Sequence, residues 1–276
     1  FYLNAASGFF VNRSNFSIFL LLCAFASLYF IYFYIKLNNF KLNFIEQLNS
    51  PIIYQRFCIV FITIGIVMTL SRAGNFSYIL LLSLIILSSF LITKKIFNSV
   101  FNTIVLILVI DIAFIGFYFG GSQLIGRYSI VADFTTSLDS TTSYTRLTMI
   151  IFAIEKFKEF FFFGYGLGGF EQIFKIYFNI VNDVYSNHVH NDIVEFLGEF
   201  GVVGSIFLLC LLINYFVLII KSVKKKELTI LHPILILILF LTLLMNSLVD
   251  FSLHIPAIQY FLCTLAAIGL TKFNTK

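Results

Sequence analysis

Tryptophan is absent from this chain of 276 residues, and charged residues make up only 11% of it against 60% hydrophobic. Soluble domains carry about 25% charged residues, so an ordinary soluble globule is excluded. A mean hydropathy of +0.99 leaves more apolar surface than one core can bury. Lipid is therefore the solvent for much of the chain, and without tryptophan its aromatic belt falls to tyrosine. A long basic run is lacking too: the net charge of +5 comes from 18 basic and 13 acidic residues, which disfavours nucleic acid as a partner. The four cysteines, Cys23, Cys58, Cys210 and Cys263, form no Cys-x-x-Cys pair. They read as small apolar packing residues, not metal or redox groups. The chain opens on Phe1-Tyr2-Leu3 without an initiator methionine or a charged leader, which reads as a piece of a longer protein.

Crossing a hydrocarbon core of about 30 Å takes roughly 20 apolar residues in a helix. Seven stretches qualify: 16–35, 51–70, 73–93, 97–119, 200–220, 233–249 and 255–271. The alternation of barrel strands is missing, so the spans are helices. The second and third are separated by Ser71-Arg72, which marks a tight turn at a membrane face. The expected architecture is an all-α polytopic membrane protein, a single membrane domain over 1–276, with one large polar loop over 120–199 containing short amphipathic helices. If the first residues lie outside, eleven basic and two acidic residues fall inside, a net of +9, and the remainder carries −4. The positive-inside bias then puts the loop on the extracytoplasmic side, with the lysines of residues 221–226 as the firmest cytoplasmic anchor.

The densest chemistry lies in Ser186-Asn187-His188-Val189-His190-Asn191-Asp192-Ile193-Val194-Glu195-Phe196-Leu197-Gly198-Glu199. A helix starting near Asn191 or Asp192 places Glu195 and Glu199 on one face, four apart, with Asp192 one turn earlier. Asn or Asp there is also a good cap, because its side-chain oxygen accepts an orphan N–H. His190, just before the cap, is positioned to accept a proton near neutral pH if it faces a cavity; otherwise it packs on the loop. His-x-His with carboxylates resembles a zinc set, but no third histidine is near and the spacing fits no metalloprotease pattern. The expectation is no metal and no cofactor. No Asp-x-Asp pair is present to hold a metal on a nucleotide-sugar donor. Arg72, Arg127 and Arg146 are candidate anion ligands, since guanidinium groups bind phosphate oxygens bidentately and stay charged. Arg146 begins an apolar-periodic run through Phe157, read as a helix lying along the membrane. Phe163-Gly164-Tyr165-Gly166-Leu167-Gly168-Gly169-Phe170 is a glycine-rich turn without a Walker ending. Asp111 lies mid-span, where a carboxyl is costly, and Asp250 and His254 bracket the outer end of the sixth span, placed to line the same cavity as His190.

Several of these segments, in this order, resemble the O-antigen ligase and O-antigen polymerase superfamily of bacterial envelope polysaccharide assembly. They are Ala6-Ser7-Gly8-Phe9-Phe10-Val11-Asn12-Arg13-Ser14-Asn15-Phe16, Leu70-Ser71-Arg72-Ala73-Gly74, Gly164-Tyr165-Gly166-Leu167-Gly168, His188-Val189-His190-Asn191-Asp192 with Glu195, Glu199 and Gly201, and Ser247-Leu248-Val249-Asp250-Phe251 with His254 and Pro256. The resemblance implies an inverting, metal-independent transferase in the bacterial inner membrane. Its donor would be an undecaprenyl-diphosphate-linked glycan and its acceptor a lipid A core or a growing polysaccharide. On this chain Arg72 and Arg146 would hold the diphosphate and His190 would deprotonate or orient the acceptor hydroxyl. Arg127, His188, Asn191 and Glu195 would contact substrate. The rival expectation is a transporter or flippase of lipid-linked precursors that uses the same arginines without chemistry; it predicts several membrane-buried charges and broken helices.

Overall fold

The computed structural model describes residues 5–37, 51–92, 146–177, 186–224 and 231–270. Every regular element among them is helical: α1 (Arg13–Leu37), α2 (Pro51–Met68), α3 (Arg72–Ile92), α4 (Arg146–Glu159), α5 (Phe170–Tyr177), α6 (Asp192–Lys224), α7 (Leu231–Ser247) and α8 (Pro256–Leu270), with a 3-10 turn at Ser252–His254. Three of them, α1, α2 and α6, are long and apolar enough to cross a membrane; α3, α7 and α8 carry shorter apolar stretches. The expected span 97–119 with Asp111, and the expected ligand Arg127, lie outside the described residues.

By contact the chain divides into two compact units. The first, Phe1–Gln123 with Ile219–Met245 and Ile255–Lys276, is built around α1, which packs against α2, α3 and α8. Of the apolar window in α1, 67% is buried, including Ile18, Leu21, Leu22 and Phe25. The Ser71-Arg72-Ala73-Gly74 turn has a structural job here. Ser71 caps α3 by accepting the Gly74 N–H at 3.2 Å and also bonds Ser14 Oγ at 3.1 Å. Gly74 lies so close to Ser17 that a Cβ there would collide with its hydroxyl. Arg72 is left exposed at the first position of α3. In the same unit His232, 1% exposed, sits 2.6 Å from Tyr29 Oη and 2.7 Å from the Gly269 carbonyl. It is a satisfied core histidine.

The second unit comprises Leu124–Leu218 and Asn246–His254. Its core is the buried set Met149, Phe152, Ala153, Phe170, Phe174 and Val189, drawn from α4, α5 and the turn before α6. Phe152 meets Phe174 edge-on at 5.3 Å, the arrangement that aromatic quadrupoles favour. Helix α6 begins at Asp192, eight residues ahead of the apolar run 200–220, because its first two turns are polar and bury their charges against the unit.

At Gly201 α6 breaks (φ 63°, ψ −172°). In a continuous helix the carbonyls of Gly198 and Glu199 would accept from Val202 and Val203. Instead Val202 N–H donates to Phe161 O (2.8 Å) and Val203 N–H to Phe162 O (3.1 Å), while Tyr165 and Gly166 donate to the released Gly198 and Glu199 carbonyls at 3.0 and 3.1 Å. Four backbone bonds thus replace two, and the Gly198 and Glu199 carbonyls and the Val202 and Val203 N–H groups all keep a partner at the break. A Cβ on Gly201 would collide with Gly164 and Phe162 backbone, and one on Gly164 with that of Glu199.

Candidate functional site

The second unit gathers the His-x-His turn, the first turns of α6 and residues 246–254. Asn191 is the N-cap of α6: its Oδ1 accepts the Val194 N–H at 3.0 Å and its amide donates to Leu248 O at 2.9 Å. That cap contributes about 0.5–2 kcal/mol and fastens the 246–254 segment to the helix start. Two further bonds complete the fastening, Asp192 N–H to Asp250 O (3.2 Å) and Leu253 N–H to Asp192 Oδ2 (2.9 Å).

His190 stands at the junction. Its backbone is left-handed, φ 59°, a costly conformation for a residue with a Cβ. Its Nδ1 faces Asp250 Oδ1 at 3.6 Å, and this buried nitrogen makes no hydrogen bond among the described residues. The ring meets Phe251 edge-on at 4.9 Å, and Phe251 also stacks on His188 at 4.2 Å. Asp250 is 1% exposed whereas the His190 side chain is 25% exposed, so the imidazole lies beside a buried carboxylate while part of its side chain reaches the surface. That is the posture of a general base oriented by an acid. Arg146, exposed at the first position of α4, donates from Nη1 to Val249 O at 3.0 Å. The arginine and the histidine therefore meet adjacent residues, 249 and 250.

A second cluster lies along α6. Asp192, Glu195 and Glu199 share one face, as their spacing requires, and His254 sits against all three. Its Nδ1–H donates to Asp192 Oδ1 (2.5 Å), and its Nε2 lies 3.3 Å from Glu199 Oε2 and 3.7 Å from Glu195 Oε1. The ring stacks on Phe196 at 4.1 Å. Burial alone would push the His254 imidazole down; the hydrogen bonds to Asp192 and Glu199 and the charges of Glu195 and Asp192 outweigh it and raise it to about 10. It is a cation at neutral pH. Glu195 is held from its other side by His188 Nδ1 (2.7 Å) and the Val189 N–H (2.8 Å), and Glu199 Oε1 accepts the Gly168 N–H at 2.8 Å. Tyr165 closes over this pair. Its hydroxyl is driven upward by burial and then by the charges of Glu199 and Glu195, and its Oη makes no hydrogen bond among the described residues.

Glu195, Glu199 and His254 also offer one ligand atom each within 4.8 Å of one another. A divalent cation would have to displace the His254 proton, since that imidazolium already supplies the positive charge between the carboxylates. The sign of its pH dependence follows. The folded-state value, about 10, stands above the ordinary 6.5, so the stabilisation is complete below about 6.5 and is lost as pH rises through about 10. The melting temperature of the purified protein is expected to fall as pH rises from about 6.5 to about 10, with a shallower slope in His254→Gln. Equal slopes would show that His254 does not carry the charge.

Of the residues expected from sequence, Arg146, His188, His190, Asn191 and Glu195 all belong to this unit. Arg72 belongs to the first unit. Asn191 and Glu195 have both ends of their polar groups engaged by protein. Tyr165 carries no chemical signal in the sequence beyond its place in the glycine-rich turn, whereas Asp250 and His254 are candidates to line the cavity of His190 and belong to the same unit. The signal for the latter two was present: an acid and a histidine four apart, Asp250 and His254, beside an otherwise apolar span.

No curated protein and no solved structure matches the chain. A family model described as O-antigen ligase matches residues 57–209, more than half of the 276 residues and a stretch that contains Arg72, Arg146, both histidines of the His-x-His turn, Glu195 and Glu199. The chain is a helical membrane protein that belongs to the O-antigen ligase family, whose broad activity is glycan transfer of the ligase or polymerase type.

Proposed function

We propose that this chain moves a glycan from an undecaprenyl-diphosphate-linked donor to a lipid A core or a growing polysaccharide. The site faces the extracytoplasmic side of the bacterial inner membrane, in the loop 120–199, and about seven helices span the bilayer. The observation that carries this reading is His190: a strained, left-handed residue, a quarter exposed, whose Nδ1 faces buried Asp250, with Arg146 bonded to the neighbouring Val249 carbonyl.

The acceptor hydroxyl attacks the anomeric carbon from the face opposite the diphosphate. As the new C–O bond forms, the bond from the anomeric carbon to the diphosphate oxygen breaks, its electron pair leaves with the diphosphate, and the hydroxyl proton passes to His190 Nε2. Attack from the opposite face inverts the anomeric centre. Asp250 steadies the imidazolium that results. Arg146 neutralises the charge growing on the leaving diphosphate, a role that a metal ion fills elsewhere, and Arg72, which the resemblance assigns to the donor, is a further candidate for its charge. His188, Asn191 and Glu195 shape the turn, and Arg127 is a further donor contact.

Purified full-length protein in vesicles, given undecaprenyl-diphosphate glycan and acceptor, is expected to form an inverted glycosidic product at a rate unchanged by chelator. Arg146→Ala is expected to lower kcat/KM by about 10²–10³-fold, the usual effect of removing one charge-stabilising donor. Movement of the donor across the bilayer without product would instead support the transporter.

A further inference from the structure

The three phenylalanines at residues 161–163 follow α4 and lie outside the mechanism. They are 44%, 65% and 79% exposed, an unusual state for three consecutive aromatic side chains in water. They are held by backbone, since Phe161 O and Phe162 O accept from Val202 and Val203, the first residues after the break in α6. From that break the apolar run 202–220 extends for about 28 Å at 1.5 Å per residue, close to the hydrocarbon thickness of about 30 Å. The membrane edge therefore falls at Gly201, and the bonds to Val202 and Val203 put the phenylalanine turn at the same depth.

Helix α4 continues the apolar surface away from that edge. Leu147, Ile151 and Ile154 are 57%, 48% and 40% exposed and lie three or four apart, on the line that leads through Lys158 to Phe161. The opposite face, Met149, Phe152 and Ala153, is already buried in the core of the unit. Among the described residues the stripe thus lies outside the buried core of the unit. Lys158, exposed on the same line, sets an ammonium where a lysine over a membrane reaches lipid phosphate.

We infer that residues 161–163 and the Leu147-Ile151-Ile154 stripe form a lipid-immersed footing, which seats the second unit on the bilayer at the level where α6 enters it. The occupant of this face is acyl chain, with Lys158 at the phosphates. This placement rests on membrane insertion of α6 and not on the transfer reaction. It fixes the height of the His190 turn, since the polar turns of α6 rise from the same break.

Because these 276 residues hold no tryptophan, one substitution makes a single reporter among them, once any tryptophan elsewhere in the longer protein has been replaced by phenylalanine. Phe162→Trp and Phe163→Trp, each in full-length protein reconstituted into phosphatidylethanolamine–phosphatidylglycerol vesicles, are to be read against Phe207→Trp. Phe207 is 66% exposed and lies within the span. Brominated acyl chains are expected to quench the two turn reporters at least half as strongly as F207W. Bromine near the headgroup should be the more effective for the turn, and bromine deep in the chain for F207W. Quenching by aqueous iodide without quenching by bromolipid would overturn the inference, because the turn would then be in water. Resistance to both would overturn it as well, since protein would cover the face. Either result leaves the transfer reaction untouched, and loss of activity in Arg146→Ala leaves the footing untouched.

Discussion

Replacing His190 by alanine in the full-length protein is expected to lower the rate of glycan transfer by about 10²–10⁴-fold, the contribution of a positioned general base. The loss should appear in kcat, with the donor KM close to wild type, because the groups proposed to hold the diphosphate are arginines. Structure should survive the change. The His190 ring is a quarter exposed, the α6 cap belongs to Asn191, and the 246–254 segment is tied down by Asn191, Asp192 and His254 without it. His190→Asn is the stricter comparison, since asparagine tolerates the left-handed backbone at φ 59°. Both variants should melt near the wild-type temperature while losing turnover. A wild-type kcat in either would remove His190 from the chemistry and leave its strained backbone as a structural turn.

The second large effect is expected at Gly201. Its φ of 63° with ψ of −172° falls in a region that is essentially glycine-only and costs other residues about 1–3 kcal/mol. A methyl group there would also press into the Gly164 and Phe162 backbone. Strain and collision together put Gly201→Ala at about 3 kcal/mol of lost stability or more, measured by unfolding in detergent and by proteolytic nicking within 160–170. Gly166→Ala supplies the contrast. Its φ is 96°, but a Cβ there meets nothing within 4 Å, so it pays the strain alone. Equal losses in the two variants would mean that the exchange of hydrogen bonds at the break does not hold the segment in place.

Much of the helical framework was legible because apolar length and cap chemistry are local properties. The run beginning at Pro51, the turn at Ser71-Arg72 and the start of α6 at Asn191-Asp192 each announce themselves within four residues. The shared face of Asp192, Glu195 and Glu199 follows from helical spacing alone. What stands against that face does not. His254 is 55 residues beyond Glu199, and no periodicity encodes which distant imidazole a buried carboxylate will meet. Helix α5 was hidden for another reason: at eight residues, directly after a glycine-rich turn, it is too short to show a repeat. The break in α6 was illegible as well, since Gly201 marks flexibility but not the partner, residues 161–166, that fills the opening. Of the candidate arginines, Arg146 could be placed at a helix start from its neighbours, whereas its bond to Val249 is again a long-range fact.

The tie between Asp192 and the 250–254 segment also sets an order of events during synthesis. The His-x-His turn and the polar turns of α6 leave the ribosome some sixty residues before Asp250 and His254. Until then Asp192, Glu195 and Glu199 are three acids without their imidazolium, at the mouth of a helix that must enter the bilayer. The nascent chain therefore passes through an interval in which its most acidic turn is uncompensated and His190 has no carboxylate behind it. Only when α7 has been made and residues 246–254 fold back does that interval end. A chain cut short within α7 would insert its earlier helices and still lack a competent centre.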